Sequence, residues 1–416
     1  MKKASSYIMK ATLLAFAVAG LCAASSSAAG NYAVVYDFTG QNDGSFAHTS
    51  VVFDTSGNAY ATTVMGGAQG CGTVDQFSPM PHSKWKETTL YTFICGVDGK
   101  NPYGGVTIGP DGSLYGVTAA GGSSPCTGDG CGVVYAVRGK GETVLHDFTG
   151  TNGDGFGPGN APVFDSAGNL YGSTPDGGRL GFGIVYELSP KGLGWQEHII
   201  HTFTGKKDGA VGSKGPLLID ASGNIYGVTE QGGNTGCGGS GCGVAFKMSL
   251  VAHKWTFKTL YVFSGAPNAQ NPYGGLIMDH SGNLYGTTYY GGTGSCVSVP
   301  GCGTVYELSP GKKGQYTERL LHSFMGGSDG SATTTTLLMD NAGNLYGTTS
   351  MGGRPTCDCG TAFELRAPSW KESILHRFGK NKDGSYPYYG FTAFNGHLYS
   401  STSAGGTFGQ GTLFQI

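Results

Sequence analysis

A seven-residue phrase, G-N-L-Y-G-T-T, returns along this chain at a nearly fixed interval. It reads in full at Gly282–Thr288 and Gly343–Thr349, with looser copies from Gly57, Gly112, Gly168, Gly223 and Gly396. Its tyrosines are Tyr60, Tyr115, Tyr171, Tyr226, Tyr285, Tyr346 and Tyr399, spaced 53 to 61 residues apart. A period of that size over nearly the whole chain means one supersecondary unit repeated, so a fold must be sought that closes identical units on one another.

One unit reads as four short strands. Gly274–Asp279 is apolar, and His280-Ser281-Gly282-Asn283 is a turn. Leu284–Tyr290 follows as a second strand, then a glycine-rich loop, then Thr304–Leu308 ended by Ser309-Pro310. Tyr316–Phe324 alternates and is β-rich. The 77 glycines are interleaved with Val, Ile, Leu, Tyr and Phe, as in many strands joined by tight turns. Four antiparallel strands per unit is the pattern of a propeller blade.

The count then closes. Seven third strands are expected, at Thr73–Phe77, Val133–Val137, Ile184–Leu188, Val244–Met248, Thr304–Leu308, Thr361–Leu365 and Thr412–Ile416. Seven fourth strands end in a recurring aromatic phrase, but the first, Val35–Phe38, precedes any complete triplet, and the chain ends on a third strand. The expectation is an all-β, seven-bladed β-propeller of four-stranded antiparallel blades, its N-terminal strand closing the last blade and removing a free edge.

The phrase G-N-L-Y-G-T-T, the G-G after it, and G-T-V-Y-E-L-S-P at Gly303–Pro310 resemble the GloVer (Gloeo/Verruco-type) tandem repeat of secreted bacterial proteins. The resemblance spans about residues 31–416 and implies an exported propeller. It transfers no catalytic residues.

Residues 1–29 are expected to be a signal peptide: Lys2, Lys3 and Lys10, an apolar stretch from Ala11 to Ala23, then Ser27-Ala28-Ala29 as a small-residue cleavage site. Residues 30–416 form the propeller, without a membrane span. The expected location is secreted, periplasmic or at the cell surface. Charge is balanced, Lys+Arg 25 against Asp+Glu 27, with no basic stripe to hold nucleic acid.

Ten cysteines remain beyond Cys22, as suits an oxidising compartment. Cys126/Cys131, Cys237/Cys242 and Cys296/Cys302 are close pairs at one repeat position, and Cys357/Cys359 occupies it with a shorter loop. These loops are glycine-rich and would be floppy without a cross-link. Cys71 aligns with second members, and a bridge to Cys95 would join a loop to the end of a fourth strand on the same face. Disulfides are expected rather than zinc, because the pairs belong to different blades.

Repeated polar residues read as scaffold. His146, His201, His322 and His376 share one fourth-strand position with Tyr36, Tyr91 and Tyr261, which points to half-buried rings with one hydrogen bond. Trp85, Trp195, Trp255 and Trp370 open fourth strands. Asp54, Asp165, Asp220, Asp279 and Asp340 precede the first hairpin, and Asp43, Asp98, Asp154, Asp208, Asp329 and Asp383 form D-G steps between blades. Calcium could use such loops, but no D-x-D-x-D series is present, so no metal or other cofactor is expected.

Function is better sought where aligned positions diverge. The pair before each G-G varies: Val64/Met65, Ala119/Ala120, Pro175/Asp176, Glu230/Gln231, Tyr289/Tyr290, Ser350/Met351 and Ser403/Ala404. On the same face stand Tyr103 and Tyr273, in two copies of N-P-Y-G-G, with Tyr388/Tyr389 and the unrepeated His48. Tyr289, Tyr290, Glu230, Gln231, Asp176, Tyr103, Tyr273, Tyr388 and His48 are therefore the candidate ligand-binding set. Flat amphipathic rings beside carboxylates and amides suit sugars. The expected role is a monomeric binding module for an extracellular glycan, an envelope polymer or a cell-surface protein. The alternatives are a lyase or hydrolase at the channel mouth, which would need His48 beside Glu230 or Asp176, and a purely structural docking propeller. No G-x-S-x-G, H-E-x-x-H or P-loop string occurs.

Overall fold

The computed structural model describes residues 32–416 except 83, 125, 213–214, 297–299 and 381. The leader expected at 1–29 lies outside the described residues. The chain forms seven four-stranded antiparallel blades, and the strand Ala33–Asp37 pairs with Thr412–Gln415 to complete the last of them. Blades are numbered here in chain order, so blade 7 carries the closing strand.

The recurring phrase is explained by one carboxylate. In blade 5, Asp279 accepts the backbone N–H of Ser281 and Asn283 on Oδ1, at 2.8 and 2.9 Å. Its Oδ2 accepts Asn283 Nδ2 at 2.8 Å and the Tyr285 hydroxyl at 3.1 Å. Asp54, Asp165, Asp220 and Asp340 repeat the pattern with their own Asn and Tyr. The turn needs an acceptor two and four residues upstream of its donors, which is why Asp, Asn and Tyr travel together.

Adjacent blades are held by a repeated aromatic contact. The phenylalanine ending each fourth strand packs against an aromatic ring on the next blade's third strand. The pairs are Phe38–Phe77, Phe93–Tyr135, Phe148–Tyr186, Phe203–Phe246, Phe263–Tyr306, Phe324–Phe363 and Phe378–Phe414, with centroids 5.0 to 5.9 Å apart. All seven are tilted well away from parallel, the geometry ring quadrupoles favour. Blade 1 departs from the rest: the fully buried Asp75 stands where other blades carry the ring, and Phe77 makes the contact two residues later. Burial holds the Asp75 carboxyl well above the usual carboxylate range.

Two element boundaries differ from expectation. The first strand of blade 5 is only Ile277–Met278, not Gly274–Asp279. A Cβ on Gly274 would meet the Thr335 carbonyl at 2.0 Å, and one on Gly275 the Pro216 carbonyl at 2.7 Å. These glycines press on the backbones of the neighbouring blades instead of pairing within their own. The third strand of blade 5 also takes in the predicted Ser-Pro stop, running Thr304–Pro310, with Pro310 opposing Tyr316. Every fourth strand carries a bulge at the same place, between the partners of the second and third residues of the third strand. Such an insertion increases local twist.

All five cysteine pairs are bonded: Cys71–Cys95, Cys126–Cys131, Cys237–Cys242, Cys296–Cys302 and Cys357–Cys359. The structure adds that the two ends of each bond differ in burial. Cys71, Cys131, Cys242, Cys302 and Cys359 are buried in the core. Each stands two residues before a third strand, where the chain is already entering the blade interior. Each shares a core cluster with the phenylalanine that ends its blade's fourth strand, as Cys131 does with Phe148 and Cys242 with Phe263. Cys302 lies with Phe324, Cys359 with Phe378 and Cys71 with Phe93. Their partners Cys126, Cys237, Cys296 and Cys357 are half-buried, and Cys95 is exposed. The bond therefore anchors the loop to the core, and a small apolar sulfur is well suited to that buried end.

Placement of the pairs follows one rule. A Cβ on Gly150, Gly265, Gly326 or Gly379, each just past a fourth strand, would strike the sulfur of the loop disulfide of that blade. In blade 1 that position is Cys95 itself, bonded to Cys71. Blade 3 has no disulfide, and the Phe182 ring lies over Gly205 instead. The loop between second and third strands is thus pinned to the end of the fourth strand by whatever side chain its blade supplies. No described helix is long and apolar enough to cross a membrane.

Candidate functional site

The second-to-third-strand loops and the inter-blade loops share one face, by the order of strands in each blade. The last threonine of the phrase fixes this face. Thr288 Oγ1 donates to the Tyr290 carbonyl at 2.7 Å and accepts the Thr304 N–H at 3.1 Å. Thr118, Thr174, Thr229, Thr349 and Thr402 do the same in their blades. The D-G glycine lies against this threonine: a Cβ on Gly209 would meet Thr229 Oγ1 at 2.2 Å, and one on Gly384 would meet Thr402 Oγ1 at 1.9 Å. A constant scaffold therefore presents the variable pair.

Three residues past the D-G aspartate, or Asn268 in blade 5, the backbone turns left-handed in every blade. Phe46, Asn101, Gly157, Val211, Asn271, Ala332 and Tyr386 have φ between 54° and 67°. In five blades this residue's carbonyl accepts the N–H of the first member of the variable pair, as Val211 does from Glu230 at 3.1 Å. The left-handed turn sends the chain toward the axis. Two residues later come His48, Tyr103, Gly159, Tyr273, Thr334 and Tyr388.

These residues meet across the mouth of the channel. The His48 ring lies 5.2 Å from Tyr103, 4.5 Å from Tyr388 and 5.0 Å from Tyr389. Tyr289 lies 6.1 Å from Tyr273 and 4.7 Å from Tyr290. Burial raises the Tyr289 hydroxyl pKa, helped by Tyr290, Tyr388, Tyr273 and Glu230, which places all four within electrostatic reach. Burial likewise raises Tyr389, which feels both Tyr273 and Tyr103, from blades 5 and 2. A cavity of about 400 Å³ opens here, lined among others by Phe46, His48, Met65, Tyr103, Tyr386 and Tyr388.

His48 is neutral at pH 7. Burial lowers its pKa to about 4, and no carboxylate offsets that burial. Its Nδ1 is buried without a hydrogen-bond partner. Glu230 acts electrostatically on Tyr289. Asp176 is exposed in blade 3, where its backbone pairs with Phe156. Gln231 likewise pairs through its backbone with Ala210. Of the candidate set, the structure draws His48, Tyr103 and Tyr388 together, and gathers Tyr273, Tyr290 and Glu230 around Tyr289. Phe46 and Tyr386 were not singled out from the sequence. Their shared place after D-G-S was the available signal.

A second cavity, about 490 Å³, lies on the opposite face between blades 7 and 1, beside Trp85, Phe394 and Tyr399. It forms where the shortened first hairpin of blade 7, Phe394-Asn395-Gly396-His397, lacks the aspartate-centred turn.

The rim of the candidate face carries the histidines. The D-G aspartates take up the fourth-strand rings: Tyr36 and Tyr91 donate at 3.0 Å to Asp43 and Asp98. His201 and His376 meet Asp208 and Asp383 at 3.2 and 2.7 Å. The aspartates also cap backbone N–H groups, such as Thr204 on Asp208 at 3.0 Å. The sequence reading of one partner per ring omitted a third residue, supplied by the fourth strand of the next blade. At His146 this is Glu197 and at His322 it is Glu372, while Phe257 and Tyr32 stack on His201 and His376. Burial and the Asp329 carboxylate push Glu372 up to about 9, whereas His322 and backbone donors outweigh burial and hold Asp329 down to about 2.

A family model described as the Gloeobacter/Verrucomicrobia repeat matches residues 127–356 and 240–416. No curated protein matches the chain in sequence. Among solved structures, a fungal alcohol oxidase of the AA5 family, in complex with copper, is similar with a TM-score of 0.52 at 11% identity, over 93% of this chain and 75% of that one. A gluconolactonase from Xanthomonas campestris gives 0.39 at 15%, over 73% and 81%. A protein of unknown function from Dyadobacter fermentans gives 0.45 at 11%, over 92% and 96%. At these identities the likeness is one of fold.

Proposed function

We propose that this chain, which belongs to the Gloeobacter/Verrucomicrobia repeat family, is an exported binding module whose channel mouth takes a glycan. The observation that carries this reading is the wall of rings at the mouth. His48, Tyr103 and Tyr388 form one side and Tyr273, Tyr289 and Tyr290 another, with Glu230 near enough to Tyr289 to raise its pKa. Aromatic faces stack on the C–H faces of sugars, while phenol and carboxylate oxygens accept sugar hydroxyls. Among the described residues no charged group acts on His48, which favours a neutral polar ligand on that side of the mouth. Five disulfides fit an extracytoplasmic setting, where they persist.

The test is retention of the mature protein on insoluble polysaccharides, alongside a thermal-shift screen with soluble glycans. A ligand of the folded state raises the melting temperature. The parent is expected to be retained, and Tyr289→Ala/Tyr290→Ala to wash through while melting as a folded protein. Equal retention of parent and double variant would show that this face is not the binding face.

A further inference from the structure

At two of the seven blade junctions the rim assembles a different kind of site. Between blades 2 and 3, His146 Nε2 lies 3.5 Å from Asp154 Oδ1 and 3.6 Å from Glu197 Oε1. Between blades 5 and 6, His322 Nε2 lies 3.4 Å from Asp329 Oδ2 and 3.8 Å from Glu372 Oε1. In each trio the three ligand-type atoms all fall within 4.8 Å of one another. We infer that these two junctions each bind a divalent transition metal of zinc-like preference through one imidazole nitrogen and two carboxylate oxygens.

Four observations support the site. The spacing is right: bonds of ~2.0–2.1 Å to a tetrahedral ion set ligand atoms roughly 3.3 Å apart, so the imidazole–carboxylate distances of 3.4 to 3.8 Å need only a small contraction. Three ligands leave a fourth position for water. The aspartates are oriented beforehand, Asp154 by the Thr149 N–H at 2.7 Å and hydroxyl at 2.9 Å, and Asp329 by the Met325 N–H at 2.6 Å. Such outer contacts fix ligand geometry in metal sites. Glu197 Oε1 and Glu372 Oε1 are buried without a well-formed hydrogen bond, and His322 Nε2 has only the 3.4 Å approach of Asp329, an under-satisfied state that a cation would relieve.

The other junctions act as internal controls. Where His201 and His376 stand, the third place holds a ring, Phe257 at 4.1 Å or Tyr32 at 3.9 Å. Where Glu87, Glu142 and Glu318 occupy that place, the ring opposite is Tyr36, Tyr91 or Tyr261. Imidazole, Asp and Glu coincide only at the two sites, among the described residues.

The experiment starts from protein stripped with a chelator under non-reducing conditions, so that the disulfides stay intact. Zinc is titrated calorimetrically, and bound metal is counted after gel filtration. Two zinc ions per parent chain are expected, one in Glu197→Gln or Glu372→Gln, and none in the double variant. Cobalt(II) added to the parent should give the visible absorption of a four-coordinate centre, a readout that needs no variant. The inference is overturned if the parent retains no more zinc than the double variant, or if cobalt shows only the weak spectrum of the hydrated ion. The carboxylates would then share a proton, not a metal.

Discussion

Each blade meets its neighbour twice on the candidate face, once at the rim and once at the channel mouth. At the rim the contact repeats: a fourth-strand ring bonded to a D-G aspartate that also caps the loop. At the mouth the equivalent positions differ from blade to blade, running from His48 through Gly159 to Tyr388. The difference teaches where selection for stacking ends. The rim must satisfy every donor of a buried turn, so one solution serves almost everywhere. The mouth needs only to leave the inner strands room to converge, so its side chains are free to serve a ligand.

Three expected outcomes would break or sharpen that contrast. The largest concerns the rim at the closure between blades 6 and 7. Asp383 accepts the Gly379 N–H at 2.8 Å and the Lys380 N–H at 2.5 Å, and contacts His376 Nε2 at 2.7 Å. Asp383→Ala should cost about 3 kcal/mol in guanidinium unfolding, because it strands several donors at once. A loss below about 1 kcal/mol would mean the rim contacts are dispensable and the contrast false.

The second outcome concerns the mouth and is a pH effect. The His48 ring titrates at about 4 in the folded chain, against 6.5 for the unperturbed group. Between those values the unfolded chain takes up a proton that the folded one refuses, so stability falls as pH drops from 6.5 toward 4. The ring keeps some contact with water, so the expected loss is about 2 kcal/mol. His48→Phe keeps the aromatic packing and should remove that part of the pH dependence in unfolding curves at pH 7, 5.5 and 4. Parallel curves for parent and variant would show that His48 is not desolvated.

The smallest effect lies on the left-handed ring between rim and mouth. Val211 is β-branched at φ +57°, where the equivalent residues include Asn101, Gly157 and Asn271. Val211→Asn should stabilise by about 1 kcal/mol, seen as a higher unfolding midpoint. A lower midpoint would indicate that the Val211 side chain makes contacts worth more than the strain.

Much of this was legible in the sequence because it is periodic. The Tyr60-to-Tyr399 ladder gave the blades their number, and the unmatched Val35–Phe38 phrase required closure with the chain's last strand. The close cysteine pairs could be read from their spacing at one repeat position, and Cys71 with Cys95 because loop and fourth-strand end share a face. Their unequal burial was not legible, because Cys131 and Cys126 sit in the same glycine-rich stretch and only the fold puts Cys131 inside the core and Cys126 at its edge. Other hidden features join residues of different repeats. Glu197 lies 51 positions from His146, on a strand that reads as ordinary β-sequence. Nothing in either segment marks them as neighbours.

The sequence by itself determined the architecture. Periodic turn chemistry and apolar alternation are local properties, and an integer number of units leaves one way to remove the free edges. Only the tertiary structure decided which polar side chains meet. That depends on how far one blade rotates against the next, which brings Glu197 to His146 but Phe257 to His201. It also depends on the left-handed turn that carries His48 and the tyrosines to the mouth.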